Sequence, residues 1–483
     1  MELTFIGAIQ IAIGVAILVA GSLRAAFLFF VFSCLFGGSA AIILPSLGGS
    51  SIPPAQIALL FIALRIVAPA GGHFGRVPEA LRANIWLLVY TGFGIASAIL
   101  APRIFEGKLD VAPMRPIIGG GLFETVPLAP SPQNLTAAFY LFGTLVAALS
   151  AFILTRHLRE GKETLVNAAL WVGWAHLLLG LAVALFAGTP LDSVFEALRN
   201  GSYAQLNQSY QGFVRIRGVF PESSAYAEFG FAWFVVNAEL WYRGIRPRAT
   251  GLLALYLAAI LVASTSSTAY VGLAAYLAWF GLRVVFVRSA IEGKRLAQFG
   301  AGVLAIAVAV SALLLASPEL SARFVAMVEQ MTIGKSASAS AEQRLFWATQ
   351  GWEAFRQSFG LGIGAGSFRS SSFLTAVAGS MGVIGILSFT LYGLRVFEAS
   401  RRSTYGRGAD PALSIGGAFA VAAVLSLVPA AVSSPRPDPG VIFAIFAGAA
   451  IGLRPRRAAA ALRGDGAEIE ANRGLPGGAV PCS

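Results

Sequence analysis

Residues 135–162 read LTAAFYLFGTLVAALSAFILTRHLREGK. The run 135–155 carries no charge, and it is followed at once by Arg156, Arg159 and Lys162 before a second apolar run opens at 164. An uncharged apolar stretch of about 20 residues is the length an α-helix needs to cross a hydrocarbon core about 30 Å thick. Only helices and closed barrels satisfy every backbone polar group there. A basic cluster abutting such a stretch is the signature of a loop retained on the cytoplasmic side.

The same alternation fills the chain. About thirteen apolar runs of spanning character are predicted, at 3–20, 25–45, 53–70, 84–101, 135–155, 164–188, 223–241, 251–264, 268–287, 297–316, 372–397, 411–431 and 440–453. Composition agrees: 57% of the 483 residues are hydrophobic and 12% charged, about half the charge of a soluble protein. The expected fold is therefore all-α, a polytopic transmembrane bundle of 12–13 spans. One membrane domain over 1–457 is expected, and the polar tail 458–483 is expected to be disordered. The first run lacks a basic leader and a cleavage site, so it reads as a retained span.

Basic residues set the orientation. Arg24; Arg76 and Arg82; Arg156, Arg159 and Lys162; Arg243, Arg246 and Arg248; Arg288, Lys294 and Arg295; Arg401, Arg402 and Arg407; and Arg454, Arg456 and Arg457 all fall on one side of the alternating spans. That side is predicted to be cytoplasmic, with the carboxyl terminus inside. A net charge of +12 distributed in this way argues against nucleic-acid binding, which needs a continuous basic stripe. Cys34 and Cys482 suggest neither a disulfide nor a thiolate metal site. The histidines His73, His157 and His176 have no metal-ligand spacing, and no hydrolase motif appears.

Three longer segments, near 102–134, 189–222 and 317–371, fall on the outer side. They carry arginines where few are expected: Arg199, Arg215, Arg217, Arg323, Arg344, Arg356 and Arg369, with Lys335. A guanidinium is a planar, permanently charged fork that matches phosphate oxygens. The alternative is that these residues pair with Glu222, Glu319, Glu342 or Glu353 and solvate the loops. The segment Arg215-Ile-Arg217-Gly-Val-Phe-Pro221-Glu222-Ser-Ser-Ala-Tyr226-Ala-Glu228 is predicted to start a helix near Pro221, capped by Ser223 or Ser224. Its amino terminus beside two arginines suits phosphate. Glu222 stands at the mouth as a candidate base. Glu228, inside an apolar run, is either functional or paired with Arg65. A second stretch, Gly360-Leu-Gly362-Ile-Gly364-Ala-Gly366-Ser367-Phe-Arg369-Ser370-Ser371-Ser372, allows tight turns and opens an apolar helix. It does not sit in a strand–helix unit, so it does not mark a dinucleotide site. Arg344 and Trp347 share a face of a helix predicted over 341–359.

These pieces, in this order, resemble the bacterial O-antigen polymerase and O-antigen ligase superfamily. The likeness rests on an Arg-x-x-Gly-x-Phe-type segment from Arg215 or Arg217 to Glu222, Thr-Ser-Ser-Thr-Ala at 265–269, Arg344-Leu-Phe-Trp347, and the glycine turn before a helix holding Gly382 and Gly385; it covers roughly 200–400. The resemblance implies a GT-C-like inner-membrane glycosyltransferase that uses undecaprenyl-diphosphate-linked oligosaccharide on the periplasmic face, without metal or other cofactor. It also implies a flippase and a chain-length regulator as pathway partners. Arg215, Arg217, Arg344 and Arg369 match basic positions of the family pattern and become diphosphate ligands, with Glu222 or Glu228 as the base. Ser370, Ser371 and Ser372 stand where the ligase branch tends to have a histidine, and Ser266-Ser267 stand where it has Ser-Arg. Both departures favour the polymerase branch over the ligase. A secondary transporter or lipid-linked-sugar flippase, or a non-catalytic membrane subunit, remains the reading from other classes; no internal repeat supports the transporter.

Overall fold

Apolar side chains with no competing polar partner leave each run to satisfy its own backbone, and the runs fold as helices. In the computed structural model the described residues are 1–45, 50–115, 123–201, 209–210, 213–287, 292–318, 321–322, 325, 339–400 and 410–455. Arg323, Lys335, Glu319, Asn207, Arg288, Arg401, Arg402, Arg407, Cys482 and the tail from 456 onward lie outside them, as does the stretch 326–338.

The helices are α1 (Phe5–Ala20), α2 (Leu23–Ser33), α3 (Pro54–Val67), α4 (Val77–Ala83), α5 (Ile85–Ile104), α6 (Pro132–His157), α7 (Gly161–Leu185), α8 (Asp192–Leu198), α9 (Ser223–Tyr242), α10 (Pro247–Ala263), α11 (Ser267–Phe286), α12 (Gly293–Ala316), α13 (Ala339–Gln357), α14 (Phe373–Glu398), α15 (Pro411–Ser433) and α16 (Gly440–Gly452). Seven of them are long and apolar enough to cross a membrane: α5, α6, α7, α11, α12, α14 and α15. Shorter apolar helices are α1, α2, α3, α10 and α16. The chain is thus an all-α, multi-pass membrane protein, and residues Met1–Leu453 form one compact unit.

The helix α9 belongs to neither group, because Glu228, Asn237 and Glu239 dilute its apolar character. It is nevertheless the buried axis of the bundle, packed against α7, α10, α11 and α15. Its polar side chains are satisfied from inside. Asn237 donates to the Ala169 and Trp233 carbonyls at 3.1 and 2.9 Å. Glu239, fully buried, is gripped by Arg243 one turn on and by Arg283 of α11 at 2.7 Å. The Tyr276 hydroxyl adds a third bond to Glu239 at 3.2 Å. Sequence reading named Arg65 and Glu228 as the main intramembrane charges and missed this cluster.

Close helix approach depends on small residues where no hydrophobic effect drives association. Gly448 and Gly452 of α16, one turn apart, face α6 so tightly that a Cβ on either would meet Ala148 O or Thr155 Oγ1 at 2.1 Å.

Basic residues collect at one end of the bundle. Arg24 pairs with Glu160, Arg156 and His157 reach Glu79 at 3.4 and 3.2 Å, and Arg246 donates to Asn167 at 2.6 Å. Arg65 lies here too, in electrostatic range of His73.

Two expectations need correction. The run 25–45 is not one span: α2 stops at Ser33, and Ile42–Leu44 (β2) forms the middle strand of a small antiparallel sheet between Glu2–Leu3 (β1) and Ser50–Ile52 (β3). The cause is tertiary. Residues 37–41 give up helix to bond other loops: Gly38 N donates to Val219 O (2.8 Å) and Ala40 N to Asn200 Oδ1 (2.8 Å). The predicted loop 102–134 likewise holds a two-stranded ribbon, Asp110–Val111 (β4) with Val126–Pro127 (β5). A third ribbon pairs Ser209–Tyr210 (β6) with Phe213–Val214 (β7).

Candidate functional site

At the end of the bundle away from the basic collar, the two stretches singled out in the sequence come together. The first is held from three sides. Val219 O accepts from Gly38 N, Gly218 O accepts from Arg199 Nη1 at 3.0 Å, and Phe220 packs at 5.7 Å on the His176 ring and at 5.0 Å on Phe229. His176 is a buried packing residue, stacked on Tyr226 with ring centroids 3.9 Å apart.

From this clamp the chain enters α9 with Glu222 at the N-cap. The expected serine cap is absent: the Ser224 hydroxyl turns back to the Glu222 carboxylate. A helix amino terminus favours a hydrogen-bond acceptor, and the Glu222 carboxyl stands there, at the mouth of the site. Glu228 is half-buried and within electrostatic range of Glu222. Its suggested pairing with Arg65 does not occur, since Arg65 sits among the basic residues of the other end.

The second stretch is anchored by a helix break. Gly382 inside α14 has φ 57° and ψ −149°, which interrupts the helix and strips carbonyls of their partners. The glycine turn fills the gap: Ile363 N donates to Gly379 O at 2.8 Å, Gly364 N to Ser380 O at 3.0 Å, and Val383 N to Gly360 O at 2.9 Å. Gly360, Gly362, Gly364 and Gly366 all have positive φ, between 76° and 99°. The alternating glycines are therefore a structural plug. Asn134 pins its far side, donating to Ala365 O and Ser367 Oγ at 2.9 Å each; its buried amide is fully engaged and is no glycosylation site in this fold.

Rigidity at the turn positions Arg369. Its backbone N–H donates to Ala112 O at 2.9 Å, and that of Ser370 donates to Pro435 O at 3.2 Å. The Arg369 guanidinium lies over the Trp347 ring at 4.1 Å. Burial lowers its pKa, and so does neighbouring Arg436, while Glu222 opposes both. The group stays a cation. Ser372 occupies the N-cap of α14 without a side-chain bond; Ser370 Oγ instead accepts from Ser372 N at 3.2 Å.

Arg436 is the residue that sequence reading missed. It lies in Ser434-Pro-Arg436-Pro-Asp438-Pro439 between α15 and α16, over the Tyr140 ring at 5.1 Å. The turn is fixed by the Tyr90 hydroxyl on Pro437 O and by Asp438, which accepts from Thr144 at 2.6 Å and from Gly440 N at 3.2 Å. A charge flanked by prolines in a short outer turn was the available signal. Among the described residues, neither Arg369 nor Arg436 makes an ion pair.

Other predicted ligands lie elsewhere. Arg217 sits toward α8, where Asp192 and Glu196 offset the lowering of its pKa by burial. Arg199, whose pKa burial and Arg217 lower, pairs with Asp192 at 3.7 Å. Arg215 lies in electrostatic range of Tyr270 at the start of α11. Arg344 is exposed on α13, and its carbonyl accepts from Ser371 Oγ at 2.5 Å, which places it one turn from Trp347 at the rim. Among the described residues no group of three metal-ligating side chains occurs.

Compared with protein-family models, with curated proteins and with solved structures, the chain matches none.

Proposed function

We propose that the protein is a bacterial inner-membrane polysaccharide polymerase that joins undecaprenyl-diphosphate-linked oligosaccharide units on the periplasmic face. The observation that carries this reading is Arg369 in electrostatic range of the Glu222 carboxylate, with Arg436 beside it; among the described residues neither arginine makes an ion pair. Each is steadied on an aromatic ring. Basic residues at the opposite end support an orientation with that end, and the carboxyl terminus, in the cytoplasm.

The reaction is a displacement at the donor's anomeric carbon. Glu222 takes the proton of the acceptor hydroxyl, and the freed oxygen bonds to the anomeric carbon. The bond from that carbon to the diphosphate oxygen breaks, and its electron pair leaves with the lipid diphosphate. Arg369 and Arg436 stabilise the charge that grows there. Arg344, one turn from Trp347, extends the cationic rim, and Glu228 lies below as the second candidate base. Arg217, already offset by α8, contributes least.

The test is reconstitution of the purified chain with lipid-linked repeat units, followed by gel analysis of the products. Polymer ladders with wild type, lost in Arg369→Ala, Arg436→Ala and Glu222→Gln at unchanged expression, are expected. Transfer of preformed polymer to a lipid acceptor without chain growth would assign the ligase reaction instead, and movement of intact donor across the bilayer without bond formation would make it a transporter.

A further inference from the structure

Helices α9, α10, α11 and α12 line a half-open slot of about 540 Å³, with Phe234, Leu255, Val262, Leu277, Phe299 and Ile306 among its walls. Outer wall α12 has no buried residue along its length. It leans on the bundle through Phe299, stacked on Phe280 with centroids 3.8 Å apart. Opposite Leu255 it offers only Gly302, where even an added Cβ would reach no closer than 3.7 Å.

The slot has a direction. Along α10 its lining runs from Pro247 to Val262, roughly 22 Å of helix axis at 1.5 Å per residue, so it reaches from the basic end through about three-quarters of a core about 30 Å thick. Its one charged lining residue, Arg248, and the amide of Gln298 both sit at the basic end. The Arg295 guanidinium joins them there, 5.5 Å above the ring of Trp241, which also lines the slot. Arg248 is exposed and makes no ion pair among the described residues, whereas Arg295 is partly offset by Glu292 at 3.7 Å. An indole at the rim of an apolar slot is the usual arrangement at headgroup depth.

We propose that this slot binds one acyl chain of an anionic phospholipid, whose phosphate rests on Arg248 and Arg295. The charge at the mouth selects the occupant. A zwitterionic lipid offers the same chains but brings an ammonium toward two guanidinium groups, so it binds less tightly. The site lies at the opposite end from Arg369 and Glu222, so this lipid is distinct from the donor proposed for the reaction.

The full chain, purified in detergent and confirmed monodisperse, is titrated with phosphatidylglycerol or phosphatidylcholine of identical acyl chains and read by native mass spectrometry. Wild type is expected to bind phosphatidylglycerol at least tenfold more tightly. Arg248→Ala with Arg295→Ala should level the two lipids, and Gly302→Trp, which fills the slot, should remove one bound lipid. Equal affinity of wild type for both lipids would overturn the assignment, a result that needs no variant. An unchanged lipid count in Gly302→Trp would overturn it as well, as would displacement of bound phosphatidylglycerol by polyprenyl phosphate, which would give the slot to a substrate tail.

Discussion

Replacing Gly382 by alanine should loosen the protein at the point that fixes Arg369. The residue's φ of 57° with ψ −149° lies in a region that a side chain adopts only at a cost of about 1–3 kcal/mol. A Cβ there would also stand 2.0 Å from Gly360 O, so the glycine turn must withdraw. Withdrawal breaks the three backbone hydrogen bonds between the turn and α14, each worth about 0.5–1.5 kcal/mol. The two contributions together come to roughly 3–7 kcal/mol. Gly393, in the same helix with nothing within 4 Å, is the matched control; alanine there should stabilise by about 0.8–1 kcal/mol through helix propensity. Apparent melting in detergent, followed by size-exclusion of the fluorescent-tagged protein, reads both. Gly382→Ala should fall well below wild type while Gly393→Ala rises slightly. Equal melting of the two variants would refute the plug.

Further outcomes follow from other parts of the molecule. Arg283→Ala should cost about 3–5 kcal/mol, because it takes from the buried Glu239 carboxylate one of its two guanidinium partners; Glu239→Gln combined with Arg283→Met should cost less than the two single changes added, measured as a double-mutant cycle in denaturant. Burial raises the pKa of Asp438, against the Thr144, Gly440 and Arg436 contributions that lower it. Its contribution to stability is therefore complete below the unfolded carboxylate range near 4 and lost as pH rises through the higher folded value; Asp438→Asn, which keeps the acceptor for Thr144, should flatten that decline in melting against pH. Gly448→Leu should prevent α16 from seating against α6, seen as loss of monodisperse protein. In a chain lacking Cys34 and Cys482, Glu124→Cys should react with an impermeant thiol reagent in intact cells, and Glu163→Cys only after permeabilisation; the reverse pattern would remove the proposed function.

The one-dimensional pattern was enough for the class of protein and for most element positions. Uncharged runs such as 135–155 must satisfy their backbones internally, so length and polarity alone place helices there. The turn at Thr265-Ser266, between α10 and α11, was legible for the same reason. Sequence also singled out Glu222, Glu228 and Arg369, because charge beside or within an apolar helix is costly enough to stand out. What it did not contain was distance. Arg215 and Arg217 are two residues apart, yet one faces α11 and the other α8. Arg436 is 67 positions from Arg369 in the chain (436 − 369) and beside it in the fold. Likewise, α2 ends early because Gly38 and Ala40 find hydrogen-bond partners near 200 and 219, and polar α9 becomes the axis because its carboxylate meets Arg283 of another helix. Local hydropathy fixes which segments leave water; only the packed bundle decides which buried polar groups meet.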